Sequence, residues 1–344
     1  MIDVILSGKS ERLRAVTDFA LRGVQYRMLP LNAPLQNRRV LFALSVDAGG
    51  MDVETLMLLR RLRTEQDAMK GSCAVLLLDG AGELYTKELA QELVFAANGA
   101  GCSFPGKPLV EGTGSLYNQH ILAQKTGKSL EETYFARARE LVLRLQSFAP
   151  PRFLRPRLLV LHASESGRSS TLWLGREVCR RLAECCEVQE ISLQNGTIHD
   201  CRGCSYHACL HFAKQGGCFY GGAISETVLP AIRSCDAMLF LCPNYNDAVS
   251  ANVSALFNRL TSLLLQCSLY EKYLFGIVVS GYSGGDLVAR QLLGSMCLNK
   301  TAMLPANFCM LQTANDLATA QRIPGMEADI DAFARHIRST ICRK

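Results

Sequence analysis

The chain has 344 residues, a length typical of about two domains. It is 49% hydrophobic and 20% charged, an ordinary globular composition, and its net charge of +6 is spread along the sequence. No basic stripe is interleaved with aromatic residues, which argues against a nucleic-acid partner. No apolar run approaches the ~18 residues of a membrane span, and the N-terminus lacks a signal-peptide pattern, so we expect a cytoplasmic protein without a membrane partner.

The first half alternates short apolar strands with amphipathic helices. Its first strand is followed by the loop SGKSERLR at 7–14, which lacks the upstream glycine of a phosphate-binding Walker loop. The second strand is expected near Leu31 and the third at Arg39. The loop SVDAGGMD at 45–52 carries two carboxylates that would repel a phosphate.

The second half repeats the pattern of the first. Leu41 aligns with Leu239 and Leu62 with Leu260, both at a shift of 198 positions, and 135–142 aligns with 333–340 at the same shift. We predict two copies of one domain, at 1–148 and 157–344, joined by a linker at 149–156. Chance similarity of two α/β patterns is the alternative.

Five apolar strands are predicted in the second half, at 157–163, 187–193, 237–242, 274–281 and 308–314. These runs are too apolar for a half-exposed sheet and fit a parallel sheet covered on both faces. One helix carries the matching apolar stripe of Ile330, Phe333, Ala334, Ile337 and Ile341. The pattern predicts an α/β fold of two tandem, flavodoxin-like, doubly wound parallel sheets with five strands each.

Ligands of such sheets bind beyond the carboxyl ends of the strands, and three loops there suit a flat, phosphorylated cofactor. The first loop crowds five hydroxyls before a helix N-terminus, which attracts anions, whereas a simple cap would need one. The second offers a polar wall, and the third offers glycines that let the backbone approach a ring. The candidate residues are Ser164, Ser166, Ser169, Ser170 and Thr171, then Pro243, Asn244, Tyr245 and Asn246, then Gly281, Tyr282, Gly284 and Gly285.

In order and spacing these loops resemble the NADPH-dependent FMN reductase family of flavodoxin-like flavoproteins, including its iron–sulfur flavoprotein branch. The segment CPNYNDAVSANVSALFNR is similar to the family's Ser-Pro-x-Tyr loop and following helix, with Cys242 in place of serine. SESGRSST resembles the family's phosphate loop more loosely. The resemblance covers residues 155–342.

The resemblance implies bound FMN, with its phosphate on 164–171 and its ring beside 243–246 and 281–285. Tyr245 would pack against the ring, and the backbone N–H groups of 244–246 would face its pyrimidine edge. The implied activity is that of an FMN-dependent NAD(P)H oxidoreductase, which passes hydride or electrons from the nicotinamide cofactor through FMN to a small acceptor. The cofactor carries that chemistry, so we assign no catalytic side chain.

The first copy lacks these loops. We therefore interpret it as a degenerate, flavin-free copy that serves as a dimer surface or a lid, and we expect a homodimer.

Fifteen cysteines in a cytoplasmic chain are expected to be thiols or metal ligands rather than disulfides. Four of them form a cluster with metal-type spacing and three neighbouring histidines. In the iron–sulfur flavoprotein branch a more compact four-cysteine motif at this place holds a [4Fe–4S] cluster. An iron–sulfur cluster, a zinc ion and a metal-free, thiol-rich insert all stay open. The candidate ligands are Cys201, Cys204, Cys209 and Cys218.

Two other functions stay open. The chain could be an iron–sulfur flavoprotein that carries electrons to a redox protein, using FMN and a [4Fe–4S] cluster. It could also be a non-catalytic flavodoxin-like interaction module, in which case it would bind no flavin.

Overall fold

The computed structural model describes residues 1–194, 196–215 and 217–343, and it divides the chain into two compact units. Unit 1 comprises Met1–Ala149 with Leu304–Asn307, and unit 2 comprises Pro150–Met303 with Phe308–Lys344. Lys344, where the predicted second domain ends, lies outside the described residues. Every helix within the described ranges is too short or too polar to cross a lipid bilayer.

Unit 1 is a parallel sheet flanked by helices, with the strand order β2-β1-β3-β4-β5 and with β6 also paired to β4. Its strands are β1 (Ile2–Ser7), β2 (Tyr26–Met28), β3 (Arg39–Val46), β4 (Ser72–Gly80), β5 (Cys102–Ser103) and β6 (Leu109–Gly112). Its helices are α1 (Glu11–Leu21), α2 (Val53–Thr64), α3 (Thr86–Gly99), α4 (His120–Thr126) and α5 (Leu130–Ser147).

The sheet of unit 1 has the five strand positions predicted, but the edge next to β4 is split into two short strands. β5 pairs with the start of β4, and β6 pairs with its later part. Pro105 and Pro108 lie between these two short strands. Since proline has no N–H to donate to a ladder, the edge is interrupted there. The second strand also lies earlier than expected, at Tyr26–Met28 rather than near Leu31.

Unit 2 has five parallel strands in the order β11-β10-β9-β7-β8, as predicted. Its strands are β7 (Arg157–His162), β8 (Glu187–Ser192), β9 (Ala237–Pro243), β10 (Tyr273–Ser280) and β11 (Cys309–Thr313). Its helices are α6 (Ser170–Leu182), α7 (Tyr206–Lys214), α8 (Leu229–Ser234), α9 (Ala251–Arg259), α10 (Thr261–Leu264), α11 (Gly285–Leu293), α12 (Leu317–Arg322) and α13 (Met326–Ile341).

The three central strands of unit 2 are the buried ones. Side chains from Ala237 to Leu241 in β9 are fully buried, as are most of those in β7 and β10. The edge strands β8 and β11 are partly exposed, so the expectation that all five strands are covered holds only for the centre. The predicted apolar stripe of α13 is buried throughout.

The strand register brings one set of loops to a common edge. His162 at the end of β7 lies opposite Leu241 of β9, and Val279 of β10 lies opposite Pro243. Ser280 at the end of β10 lies opposite Thr313, the last residue of β11. The loops that follow these four strands therefore emerge side by side.

Candidate functional site

A cavity of about 470 Å³ opens at this carboxyl edge of the unit 2 sheet. It lies at the point where the strand order reverses between β7 and β9, the place at which doubly wound sheets bind ligands. Loops that follow β7, β9, β10 and β11 line it. The lining residues are Ala163, Ser164, Glu165, Arg168, Ser169, Ser170, Thr171, Pro243, Asn244, Tyr245, Val279, Gly281, Ala314 and Asn315.

The hydroxyl loop reaches this cavity through the start of α6. Ser169 is the N-cap of the helix, and its Oγ accepts a hydrogen bond from the N–H of Leu172 at 3.1 Å. Ser170 and Thr171 follow in the first turn with buried side chains. Backbone N–H groups in a first turn have no carbonyl partner within the helix, so this end of α6 offers donors and a partial positive charge.

Ser164 supplies the clearest sign of a ligand. Its side chain is buried, yet its Oγ has no hydrogen-bond partner among the described residues. A buried hydroxyl without a partner costs about 1–3 kcal/mol, and this one lines the cavity. An anion or polar group in the cavity would satisfy it.

His162 holds the backbone of this loop. Its Nδ1 accepts a hydrogen bond from the N–H of Ser164 at 3.2 Å, and its Nε2 lies 3.4 Å from a carboxylate oxygen of Glu190. Burial lowers the pKa of His162, although the neighbouring Glu190 opposes that shift. A neutral imidazole is the form that can accept at Nδ1, so burial and loop geometry favour the same protonation state.

Two charged neighbours of the loop have different roles. The guanidinium of Arg176 has its partners outside the cavity. It pairs with Glu190 at 2.7 Å and donates to the Oγ of Ser166 at 3.2 Å. Ser166, a predicted site residue, therefore does not line the cavity. Arg168 does line it, and it was not predicted. A guanidinium in a phosphate-type loop is a recognisable signal that the emphasis on hydroxyls overlooked.

The loop after β9 forms a tight turn. The N–H of Tyr245 donates to the carbonyl of Ala248 at 3.1 Å, and the reverse bond is also 3.1 Å. Asn246 and Asp247 between them both have positive φ, as in a type I′ turn. The N–H of Asn244 donates to the carbonyl of Val279 at 2.9 Å.

The expected use of the 244–246 N–H groups is therefore wrong for Asn244 and Tyr245, whose N–H groups bond within the protein. Asn246 does not line the cavity. Tyr245 does line it, and its side chain is 54% exposed, so one ring face is free to meet a flat ligand.

Of the three glycines predicted to lie against the ring, only Gly281 lines the cavity. A Cβ on Gly284, whose φ is +83°, would lie 2.0 Å from the Oδ1 of Asp247, so this glycine permits packing against the neighbouring turn. Gly285 begins α11 beside Ser280. Tyr282 is 85% exposed and also outside the cavity.

The loop after β11 completes the cavity and was missed by the sequence analysis. Ala314 and Asn315 line it, and a Cβ on Gly281 would lie 2.7 Å from the Oδ1 of Asn315. The sequence did contain a signal for these two residues. They follow the fifth predicted parallel strand, and all strands of such a sheet end at the same edge.

Unit 1 has a larger cavity, of about 1030 Å³, at the corresponding edge of its own sheet. Its chemistry differs, because the lining carries charges of both signs. The charged lining residues are Lys9, Arg12, Arg14, Asp47, Asp52, Glu54 and Asp79. Asp79 is 4% exposed and accepts hydrogen bonds from the Nε of Arg12 at 2.7 Å and the Oγ of Ser10 at 2.6 Å.

Arg12 connects the strand-end loops of unit 1. Besides pairing with Asp79, its guanidinium donates to the carbonyls of Gly80, Thr113 and Gly114 at 2.9–3.1 Å. Gly80 and Gly114 lie at or just after the ends of β4 and β6, as Gly281 and Ala314 lie just after the ends of β10 and β11, and the latter two line the unit 2 cavity.

Arg12 itself is the second residue of α1, as Thr171 is of α6. The guanidinium therefore reaches groups whose counterparts face a cavity in unit 2. Arg12 and Asp79 line the unit 1 cavity as a pair that is already hydrogen-bonded within the protein.

The cysteine insert, which contains the four candidate ligands within 199–218, follows β8 and is hydrogen-bonded to α9. Arg259 is 4% exposed and donates to the carbonyls of His199 and Gly221 at 3.3 and 2.7 Å, so one side chain holds both ends of the insert. Asn258 donates to Asp200 at 2.9 Å. The insert starts after β8, at the carboxyl edge of the sheet, and its bonds are to the last turn of α9.

The four predicted metal ligands interact electrostatically. Burial raises the pKa of the Cys209 thiol, and the charges of Cys218, Cys201 and Cys204 raise it further. Their ligand atoms do not all approach within 4.8 Å of one another in the described part of the chain. Four ligands of one zinc ion stand close together, whereas those of a [4Fe–4S] cluster bind four different irons and stand further apart.

The histidines of the insert are less suited to a metal. His211 Nε2 contacts the side-chain nitrogen of Gln215 at 3.1 Å, and its ring packs against Phe212. His211 therefore has a ring-nitrogen contact with the C-cap residue of its own helix.

Residues 156–316 match the family model described as NADPH-dependent FMN reductase. This part of the chain is similar to the NADPH-dependent FMN reductase family, whose name describes an oxidoreductase. The match contains every loop of the unit 2 cavity and the whole cysteine insert, and it confirms the resemblance stated from the sequence. A search of curated protein sequences finds no match to the chain.

Several solved structures are similar to part of the chain. The NAD(P)H:quinone oxidoreductase from Methanothermobacter marburgensis is 14% identical with a TM-score of 0.40, and the match covers 55% of this chain and 98% of that one. The FMN-dependent NADH-azoreductase from Bacillus anthracis, solved with FMN, is 11% identical with a TM-score of 0.35, covering 53% and 99%. The assignment to the FMN reductase family rests on the sequence match and not on these structures.

The cavity residues fit the FMN that the family name implies. A phosphate at the start of α6 would meet the N–H groups of Ser170 and Thr171, the partnerless Oγ of Ser164 and the cation of Arg168. A flat ring beside Tyr245 and Gly281 would meet an aromatic face and a position without a side chain.

We predict that the double substitution Ser170→Ala and Thr171→Val abolishes FMN retention. It removes two buried hydroxyls beside the expected phosphate but keeps the Ser169 cap. Ser129→Ala, which removes the N-cap of α5 in unit 1, is the matched control for a helix-start defect and should keep its FMN. FMN per chain after gel filtration is the measurement, and stoichiometric flavin in the double variant would place the phosphate elsewhere.

We also predict one FMN per chain rather than two, unaffected by changes at Arg12. Arg12→Ala leaves Asp79 buried without its cation and should destabilise unit 1 by about 3–5 kcal/mol. Arg12→Thr with Asp79→Ser removes both charges and should cost less. Denaturant unfolding and flavin content check this. Two FMN per chain, or loss of flavin in the charge-free double variant, would contradict it.

Proposed function

We propose that the chain is an FMN-dependent NAD(P)H oxidoreductase that holds its FMN in the unit 2 cavity and passes electrons to a small acceptor. The observation that carries this proposal is the buried, partnerless Oγ of Ser164 in a cavity formed by the family-matching loops. Bound FMN would supply the redox chemistry, taking hydride from the nicotinamide and delivering electrons onward.

The side chains bind and orient rather than react. Ser164, Ser170 and Thr171 would hold the phosphate together with Arg168. Neutral His162 keeps the N–H of Ser164 in place, so the phosphate loop needs no rearrangement on binding. Tyr245 would cover one face of the ring, and the absence of a side chain at Gly281 leaves room for its edge.

The first domain, residues 1–148, has no cofactor role in this proposal. Its strand-end crevice is bridged by Arg12, whose guanidinium is already paired with buried Asp79 and bonded to three backbone carbonyls. Its service as a dimer surface or a lid, the homodimer, and the origin of the two halves by duplication stay predictions.

We predict that NADPH or NADH bleaches the flavin of the purified protein without oxygen, and that a quinone or free flavin then restores its colour. Tyr245→Ala should weaken FMN binding about tenfold, because stacking on an aromatic ring is worth about 1–3 kcal/mol. Tyr282→Ala is the matched control, since this neighbouring tyrosine is outside the cavity. Stopped-flow absorbance and flavin titration measure both effects.

Flavin that neither nucleotide reduces would contradict the enzymatic proposal. A chain that binds no FMN at all would favour the non-catalytic interaction module.

A second candidate is an iron–sulfur flavoprotein that passes electrons from FMN through a cluster to a redox protein. The four thiols of the insert favour it, because Cys209 lies near enough to Cys218, Cys201 and Cys204 for their charges to raise its pKa.

We predict that protein purified without oxygen contains iron in the insert, and that Cys204→Ser loses the iron but keeps FMN. Cys267→Ser, which removes a half-buried thiol outside the insert, should keep both. Metal analysis and visible absorbance provide the readout. Zinc in place of iron would show that the insert is a structural metal site. Metal-free, fully active wild-type protein would show that it is a thiol-rich lid.

A further inference from the structure

Three cysteines outside the insert converge in unit 2. The sulfur atoms of Cys185, Cys186 and Cys342 all lie within 4.8 Å of one another, and those of Cys185 and Cys186 are 3.7 Å apart. Cys186 and Cys342 are buried, and Cys185 is half-buried. Other buried cysteines, such as Cys235, are ordinary single core thiols, so the convergence of three is not explained by packing alone.

The three sulfurs are held by regular structure. The N–H groups of Cys185 and Cys186 both donate to the carbonyl of Leu182, the last residue of α6. Cys342 ends α13 through a bond from its N–H to the carbonyl of Arg338 at 3.0 Å, and it bridges to Phe153. The ends of two helices therefore fix the positions of the thiols.

The surroundings favour a cation. Helix C-termini carry partial negative charge, and two of them meet here. A positive ion would relieve both the mutual repulsion of thiolates and the field of the helix ends.

We propose that Cys185, Cys186 and Cys342 form a three-thiolate site for a soft d10 cation, either Cu(I) or Zn(II). Thiolates are the ligands that these ions prefer. With metal–sulfur bonds of about 2.3 Å, sulfurs around one ion stand about 3.8–4.0 Å apart, which the observed 3.7 Å nearly meets. Binding displaces one proton from each of the three thiols, so affinity falls as the pH falls.

The described residues supply no fourth histidine, cysteine or carboxylate within this group. Cu(I) accepts three thiolates in a plane, whereas Zn(II) would take a water molecule as its fourth ligand beside half-buried Cys185. The site is also separate from the flavin cavity. The 13 residues of α6 span about 20 Å between its first turn and these cysteines.

The test is a titration of the whole reduced chain with Cd²⁺, whose thiolate complexes absorb in the ultraviolet, followed by Cu(I) and Zn²⁺ against competing chelators. Wild-type protein should bind one more equivalent of Cd²⁺ than the variant with both Cys186→Ala and Cys342→Ala. Cys235→Ala removes a buried thiol elsewhere and should match the wild type. Cys185→Ser, at a half-buried position that tolerates change, should also lose the equivalent.

X-ray absorption of the loaded protein should show three sulfur ligands at about 2.3 Å. Competition then decides between Cu(I) and Zn(II), and either ion supports the proposal. The proposal would be overturned if the Cys186→Ala/Cys342→Ala variant and the Cys185→Ser variant bound as much Cd²⁺ as the wild type. A disulfide among these three cysteines in freshly isolated protein, counted as missing thiols after unfolding without reductant, would also overturn it in favour of a redox pair.

Discussion

A parallel sheet brings the loops that follow its strands to one edge, and the candidate site of this chain depends on that constraint. Segments as distant in sequence as 164–171 and 314–315 line one cavity because β7 and β11 run in the same direction. The cysteine insert begins after β8 at the same edge, and Arg259 bonds it to the last turn of α9. Loops that are distant in sequence become neighbours through topology rather than through sequence proximity.

The two units carry different side chains at this edge of their sheets. In unit 2 the start of α6 presents Ser170 and Thr171, and buried Ser164 keeps a hydroxyl without a partner. In unit 1 the corresponding turn presents Arg12, which binds Asp79 and the carbonyls of two further loops. A ligand would complete the hydrogen bonding of Ser164, whereas Arg12 already has protein partners.

The strands of unit 2 and the hydroxyl loop were predictable because they have strong local signals. Continuous apolar runs specify buried parallel strands, and a serine-rich stretch before an amphipathic stripe specifies a helix start. Contacts between loops were not predictable. Gly284 packs against the Asp247 turn rather than a ligand, and Asn315 enters the cavity through strand pairing. Such roles depend on tertiary approach, which local composition does not encode.

Amide hydrogen exchange of the FMN-free protein, measured with and without added FMN, tests the central claim most directly. The account predicts slower exchange on FMN binding in segments 164–171 and 243–248 and around Gly281 and Asn315. It predicts no change in 7–14 or 45–52, the corresponding loops of unit 1. Protection of the unit 1 loops, with none at the start of α6, would contradict it.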